Sequence, residues 1–176
     1  MGKLNMKDWI NQTILNKKVI SIPIMTHPGI ELIGKTVHDA VTNGQVHYKA
    51  LCDKYPSAAA TVIMDLTVEA EAFGAEIVFP ENEVPSVSGR LLADEAAIET
   101  LEIPALNKGR IAQYLKANML TAKNITDRPV LAGCIGPYSL AGRLYDMSEI
   151  MMLIYINPEA ANTLLRKCTD FIIRYC

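Results

Sequence analysis

Short runs of apolar, β-branched residues alternate with segments of helical periodicity, and this alternation constrains the fold more than any other feature of the sequence. A run from Val19 to Met25 precedes a helical segment at Lys35 to Tyr55, and a run from Ala59 to Leu66 precedes one at Thr67 to Phe73. These runs lack the polar alternation of a half-exposed strand, so they predict parallel strands buried on both faces and joined by helices. The sequence therefore predicts an α/β fold.

The pattern continues through the rest of the chain. An extended stretch at Ala75 to Phe79 leads into a polar, proline-containing loop at Pro80 to Gly89, and Pro129 to Pro137 predicts another strand with its loop. Gly74 can end the helix that begins at Thr67. Further helices are predicted at Asp8 to Asn16, at Asp94 to Leu101, at Gly109 to Asn124 and, after an Asn157 N-cap and Pro158, along an apolar stripe from Ala161 to Tyr175.

These units favour a (β/α)₈ barrel of the TIM type, because no glycine-rich nucleotide-binding motif follows any predicted strand. A complete barrel takes roughly 250 residues. The chain has 176 residues and holds three or four strand and helix units. We therefore expect an incomplete barrel with parallel strands alternating with helices, formed as a single domain over residues 1–176.

Charge and hydropathy exclude several classes of protein. The formal net charge is −2 with 20% charged residues, so nothing indicates a nucleic-acid or anionic-membrane surface. The amino terminus lacks the apolar segment and cleavage site of a signal peptide, and the apolar run from Ile150 to Ile156 is far shorter than the roughly 20 residues that span a bilayer. We expect a cytoplasmic protein.

The cysteine pattern argues against a metal site or a disulfide framework. Cys52, Cys134, Cys168 and Cys176 form no Cys-x-x-Cys pair and no cluster with histidine. Free thiols in a reducing compartment are expected.

Three stretches that follow predicted strands carry a resemblance to a known family. They are IMTHPGI at Ile24 to Ile30, IMDLTVEAEAFG at Ile63 to Gly74, and GCIGPYSLAG at Gly133 to Gly142. In order and spacing they resemble the motifs of the uroporphyrinogen decarboxylase-like family. The resemblance covers nearly the whole chain and about the first half of a family member, and it implies a barrel enzyme.

The chain departs from the decarboxylase itself at positions that bind substrate. That enzyme has Met-Arg-Gln-Ala-Gly-Arg after its first strand, and the two arginines of this motif are understood to bind carboxylate groups of the substrate. Thr26 and Ile30 occupy those positions here, and Arg143 stands where the decarboxylase has a tyrosine six residues after Pro137. The chain is more similar to the branch of corrinoid-dependent methyltransferases, which move a methyl group from a methylated corrinoid protein to the thiol of coenzyme M.

This resemblance also implies cofactors and partners. In that branch a zinc ion, bound by His-x-Cys and a distant cysteine in the second half of the protein, activates the thiol. No His-x-Cys occurs in this sequence, so we expect no metal or other cofactor to be bound by this chain alone and no methyl transfer by it. Zinc and a methyl-corrinoid are implied for the full-length family member, with a corrinoid protein or methyl-corrinoid and a small thiol as partners.

Asp65 is the candidate catalytic residue. It follows a predicted strand, at the face where barrel enzymes place their chemistry, and the resemblance maps it onto the aspartate of the family's second motif. The alternative is that Asp65 only caps the helix that follows.

Five residues are candidates for substrate binding: His27, Glu69, Tyr138, Ser139 and Arg143. Each has a structural alternative, such as loop packing for His27, Tyr138 and Ser139. Glu69 and Glu71 are two residues apart on a helix and point to different faces, so we expect one of them at the solvated surface. For Arg143 the alternative is a surface ion pair with Asp146.

Two other functions remain open. Porphyrinogen decarboxylation uses the same fold, although Thr26 and Ile30 argue against it. The chain can instead be a non-catalytic half-barrel that dimerises or pairs with a partner chain, because an open barrel exposes strand edges and apolar helix faces.

Overall fold

The computed structural model of the chain describes residues 5–17, 20, 22, 57–62, 64–81 and 83–176. The elements within these ranges, numbered in chain order, are α1 Met6–Leu15, β1 Ala60–Thr61, α2 Val68–Phe73, β2 Ile77–Val78, β3 Ser86–Val87, α3 Glu95–Thr100, α4 Ile111–Asn124, β4 Val130–Leu131, α5 Pro137–Tyr145, α6 Met147–Ile156 and α7 Pro158–Tyr175. Each helix in this part of the chain is too short or too polar to cross a lipid bilayer. The predicted helix at Lys35 to Tyr55 lies outside the described residues, and only Ile20 and Ile22 of the predicted strand at Val19 to Met25 are described.

The residues group into two compact units. The first contains the described residues of Met1–Met64, Glu81–Glu83 and Gln113–Gly133, and the second contains Asp65–Pro80, Val84–Ala112 and Cys134–Cys176.

In the first unit β1 and β4 pair in parallel, the orientation that the sequence predicts for its strands. Ala60 lies opposite Val130 and Thr61 opposite Leu131, and the Ala60 amide donates to the Pro129 carbonyl at 2.8 Å. Both regular strands are shorter than the apolar runs that predict them. Residues that flank the pair line an apolar cavity of about 300 Å³: Ile22, Thr61, Val62, Met64, Leu131, Ala132 and Gly133.

Helix α1 also belongs to the first unit. It confirms the helix predicted at Asp8 to Asn16, although it begins two residues earlier, at Met6. The Asn5 side chain caps it by accepting from the Lys7 amide at 2.9 Å. None of its residues is buried within the described part of the chain.

In the second unit α7 is the central helix, and α3, α5 and α6 pack against it. Its N-cap is Asn157, whose side chain accepts from the Ala160 amide at 3.1 Å, and Pro158 is its first residue, both as predicted. Leu164, Cys168 and Phe171 of the predicted apolar stripe are fully buried. The periodicity of the sequence therefore locates the packed face of this helix.

Helix α2 is short and begins and ends at local signals. It spans Val68–Phe73 and ends at Gly74, which has φ +105°, a left-handed conformation that glycine adopts at little cost. The Ala75 amide closes the end by donating to the Ala70 carbonyl at 3.1 Å. The prediction of a helix that Gly74 terminates is confirmed.

Other expectations are wrong. The loop predicted at Pro80 to Gly89 contains β3, which pairs with β2 in an antiparallel hairpin, so not every strand joins a parallel sheet. The strand and loop predicted at Pro129 to Pro137 are present apart from Pro137, which begins a helix, and neither α5 nor α6 is predicted from the sequence. Pro137 is the first residue of α5, a favoured position for proline, so the helix start was visible in the sequence.

Candidate functional site

Asp65 forms a tight turn at the start of α2. One carboxylate oxygen, Oδ1, accepts from the Thr67 amide at 2.9 Å and from the Thr67 hydroxyl at 2.7 Å. Aspartate commonly bonds to backbone two residues ahead in this way. Asp65 is only 3% exposed. The sequence alternative, that Asp65 caps α2, is not what the structure shows, because Asp65 bonds to Thr67, the residue before the helix, and not to an amide of its first turn.

The second carboxylate oxygen of Asp65 binds Arg110, which no sequence pattern indicated. The guanidinium Nη1 donates to Asp65 Oδ2, Nη2 donates to the Thr67 hydroxyl at 2.9 Å, and Nε donates to Glu71 Oε2 at 2.6 Å. Arg110 is 6% exposed, and its guanidinium carbon lies 4.6 Å from the centre of the Phe79 ring. The guanidinium group of Arg110 thus binds the carboxylates of both Asp65 and Glu71.

A glycine makes room for this arrangement. Gly109 has φ +53°, and a Cβ atom there would lie 3.1 Å from the Cγ atom of Glu71. A larger residue would therefore be strained and would crowd the side chain that Arg110 binds. The pairing also corrects one expectation, because Glu71 is half-buried in an ion pair and is not a solvated surface residue.

Glu69 is the second buried acidic group. It is 2% exposed, and its Oε1 accepts from the Ile135 amide at 3.0 Å, whereas Oε2 has no hydrogen-bond partner among the described residues. Burial raises the pKa of Glu69 above its ordinary value of 4.5; the Asp65 charge adds to the shift, and the Ile135 hydrogen bond and Arg143 oppose it. Glu69 is therefore a carboxyl group that holds its proton to higher pH than a surface glutamate.

Replacing Glu69 with glutamine is expected to make stability less dependent on pH. The unfolded carboxyl has a pKa near 4.5 and the folded one a higher pKa, so the wild-type protein loses stability as pH rises through that interval. Urea unfolding across this pH range should show that the stability of the variant relative to wild type increases as the pH rises.

The exposed Glu99→Gln variant is the matched control for removing one carboxylate. A Glu69→Gln difference that stays constant with pH would contradict the role of burial at this residue.

A cavity of about 360 Å³ lies in the second unit near these groups. Its lining residues come from α5, the start of α6, the β3 region and the turn that precedes α2: Leu66, Ser86, Val87, Gly89, Ser139, Gly142, Arg143, Asp146 and Met147. The amides of Leu91 and Leu92 donate to the Leu144 carbonyl at 3.1 and 2.9 Å, which ties the segment after Gly89 to the end of α5.

Arg143 supplies a cation to this cavity. Its Nε atom is buried and has no hydrogen-bond partner in the part of the chain that the structure describes. The alternative ion pair with Asp146 is not seen among the described residues; Asp146 Oδ1 caps α6 by accepting from the amides of Ser148 at 2.8 Å and Glu149 at 3.2 Å. Arg143 also acts electrostatically on Glu69. A buried donor without a partner is costly, so an anionic or hydrogen-bond-accepting group is well suited to this position.

The predicted site residues are only partly brought together. Ser139 and Arg143 line the cavity, while Asp65 and Glu69 are buried and do not appear among its described lining residues. Tyr138 lies on the first turn of α5 with its side chain exposed, and His27 lies outside the described residues. Arg110 is the main addition, and the sequence could not reveal it because its partners are 39 to 45 residues away.

The described residues offer no metal site. No group of three or more histidine, cysteine, aspartate or glutamate side chains in those ranges is arranged to hold a metal ion. The donor set therefore does not fit the zinc that the family resemblance implies.

Comparison with known proteins places these features in a family. The uroporphyrinogen decarboxylase (URO-D) family matches residues 36–176. Uroporphyrinogen decarboxylase from Ovis aries is 29% identical over 129 residues, covering 69% of this chain and 35% of that protein. The enzyme from Legionella pneumophila (strain Corby) is 28% identical over 128 residues, covering 69% of this chain and 36% of that protein.

A solved structure shows the fold. A methyltransferase from Methanosarcina mazei superimposes with a TM-score of 0.78 over 99% of this chain and 55% of that protein, at 24% sequence identity. The chain thus has an α/β fold of the TIM-barrel type. It belongs to the uroporphyrinogen decarboxylase family, and the matched part spans about a third of the length of its curated relatives.

Proposed function

We propose that this chain forms the anion-binding part of the substrate pocket of a cytoplasmic methyltransferase, which transfers a methyl group from a methyl-corrinoid to a small anionic thiol such as coenzyme M. The observation that carries the proposal is Arg143, a cavity-lining arginine whose buried Nε has no hydrogen-bond partner among the described residues. A sulfonate or carboxylate oxygen in the cavity would pair with the guanidinium group of Arg143 through charge-assisted hydrogen bonds.

The size and composition of the cavity support a small ligand. Its volume of about 360 Å³ lies at the lower end of the range of small-molecule sites. Ser139 adds a hydroxyl group, while Leu66, Val87 and Met147 supply apolar contact. A compact molecule with one anionic end and a soft, apolar end, such as a thiol linked to a sulfonate, matches this lining.

The family comparisons are compatible with this reaction. The solved relative from Methanosarcina mazei is described as a methyltransferase, although at 24% identity the likeness demonstrates the fold alone. The sequence itself favours the methyltransferase branch, because Thr26 and Ile30 stand where the decarboxylase has two arginines.

Zinc activation of the thiol cannot be assigned to these residues. The described residues hold no metal-binding group, and the sequence has no His-x-Cys. We therefore expect the 176-residue chain to bind the thiol without transferring a methyl group to it. Rapid zinc-dependent demethylation of methylcobalamin by this chain would overturn that expectation.

Arg143→Gln is expected to weaken binding of 2-mercaptoethanesulfonate. A hydrogen bond to a charged group contributes about 1.5–3 kcal/mol, which corresponds to a roughly 10- to 100-fold increase in Kd. Isothermal titration calorimetry of the wild-type and variant proteins measures the difference.

Two controls accompany this measurement. Arg90→Gln removes an exposed arginine of the same unit and should leave the Kd unchanged. The neutral analogue 2-mercaptoethanol should bind wild type and Arg143→Gln equally weakly. Equal affinity of both proteins for the sulfonate would remove the main support for the proposal.

Porphyrinogen decarboxylation is the second candidate, and the curated relatives favour it because they carry the name uroporphyrinogen decarboxylase at 27–29% identity. Arg143 is the one cation among the described lining residues of the 360 Å³ cavity, which is a poor match for a tetrapyrrole with several carboxylates. Decarboxylation of uroporphyrinogen by the protein would establish this reaction in place of methyl transfer.

Assembly with a second chain is a further proposal. Helix α6 exposes large apolar side chains, among them Tyr155 at 88% and Ile156 at 70% exposure. Contact with a partner chain or with a second copy would remove this surface from water. This proposal concerns how the pocket is completed and is compatible with either reaction.

A further inference from the structure

Two cysteines that are distant in sequence lie side by side in the second unit. The sulfur atoms of Cys134 and Cys176 are 3.4 Å apart. A disulfide has a sulfur–sulfur distance of about 2.05 Å, so the two atoms need to approach by roughly 1.4 Å. Cys134 lies just before α5, and Cys176 follows the last turn of α7, where its amide donates to the Ile172 carbonyl at 2.9 Å.

We propose that Cys134 and Cys176 form a reversible dithiol–disulfide site. The oxidant is a small-molecule disulfide such as oxidised glutathione. The Cys176 thiol releases a proton, and its thiolate attacks the small disulfide, which forms a mixed disulfide and expels one thiolate. The Cys134 thiol then releases its proton and attacks the Cys176 sulfur, expelling the second thiolate. The two expelled thiolates take up two protons, so the protein sulfurs are oxidised and the small disulfide is reduced to two thiols.

The environments of the two thiols set the order of these steps. Cys176 is exposed and accessible to a small disulfide. Burial raises the pKa of Cys134 to about 11, and its hydrogen bond and charge interaction with Cys176, together with the charge of Glu69, add to the shift. The thiolate is the nucleophile, so the high pKa of Cys134 makes it the less reactive group. Cys134 therefore reacts second, when the Cys176 sulfur that it attacks is already close by. Ring closure should therefore accelerate as pH rises.

The site differs from the remaining described cysteine. Cys168 is fully buried on α7, and burial raises the pKa of its thiol to about 12. It should remain reduced under the same conditions. A bond between Cys134 and Cys176 would also join the end of α7 to the residue before Ile135, whose amide holds Glu69.

The test uses a protein in which Cys52, which lies outside the described residues, is replaced by serine. The protein is equilibrated with mixtures of reduced and oxidised glutathione, and the remaining thiols are alkylated after denaturation and mapped by mass spectrometry. We expect one linked peptide pair containing Cys134 and Cys176, a mass loss of two hydrogen atoms, an alkylated Cys168, and full reversal by dithiothreitol.

Cys134→Ser and Cys176→Ser are the matched variants. Each should leave the other thiol as a mixed disulfide with glutathione or unmodified, with no internal link. Three results would overturn the proposal: a bond between two protein molecules, a bond to Cys168, or free Cys134 and Cys176 thiols in mixtures that fully oxidise dithiothreitol.

Discussion

Arg110→Ala is expected to lower the free energy of unfolding by about 3–5 kcal/mol, because removing one partner of a buried ion pair leaves the other charge uncompensated. Arg110 donates to Asp65, Thr67 and Glu71, and the Asp65 side chain is fully buried. The change therefore removes the hydrogen bonds from the Arg110 guanidinium to these three side chains, two of which lie at the turn that starts α2. Urea unfolding monitored by circular dichroism measures the loss.

Arg110→Lys tests whether charge alone is enough. A lysine keeps the positive charge but lacks the planar fork that reaches Asp65, Thr67 and Glu71 together, so an intermediate loss is expected. Arg174→Ala is the control, because Arg174 is exposed and surface substitutions usually change stability by less than about 0.5 kcal/mol. An Arg110→Ala protein within about 1 kcal/mol of wild type would show that the network does not stabilise the fold.

Phe171→Ala is expected to cost a similar amount, about 3–5 kcal/mol, through loss of buried area and the cavity that remains. Phe171 is fully buried on α7, and its ring lies 5.0 Å from the Phe73 ring at the end of α2 and 6.3 Å from the Tyr175 ring. It therefore joins the central helix of the second unit to the helix that carries Glu69. Chemical unfolding measures the loss.

Ile173→Ala provides the control on the same helix. Ile173 is 69% exposed, and surface substitutions usually change stability by less than about 0.5 kcal/mol. If Phe171→Ala and Ile173→Ala were equally stable, the packing of α7 against α2 could not be a main source of stability for this unit.

The best-predicted elements are those with signals inside a few residues of sequence. The N-cap at Asn157 and the first-turn Pro158 define the start of α7, and its three- and four-residue spacing identifies Phe171 as a core residue. Gly74 ends α2 in the left-handed conformation that the residue type favours. The parallel orientation of β1 and β4, although not their pairing with each other, also follows from uninterrupted apolar runs.

The errors occur where the decisive signal was weak or lay elsewhere in the chain. The proline-containing stretch at Pro80 to Gly89 has the sequence pattern of a loop, yet two of its residues, Ser86 and Val87, pair with Ile77 and Val78. Proline is common both in loops and in the first turn of a helix, and Pro137 occupies the first turn of α5. Asp146 lies three residues after Arg143 in the sequence, which makes an ion pair plausible, but its carboxylate bonds to the free amides of the next helix.

The candidate site shows the same division. By itself the sequence determined the α/β class, the caps and packed face of α7, and the residue types at the strand ends, because these depend on spacings of a few residues. Only the tertiary structure decided that Arg110 binds Asp65 and Glu71, that Arg143 lines a cavity, and that Cys134 meets Cys176. Ion pairing, burial and thiol proximity depend on distances in space, and a chain sets those distances only after it has folded.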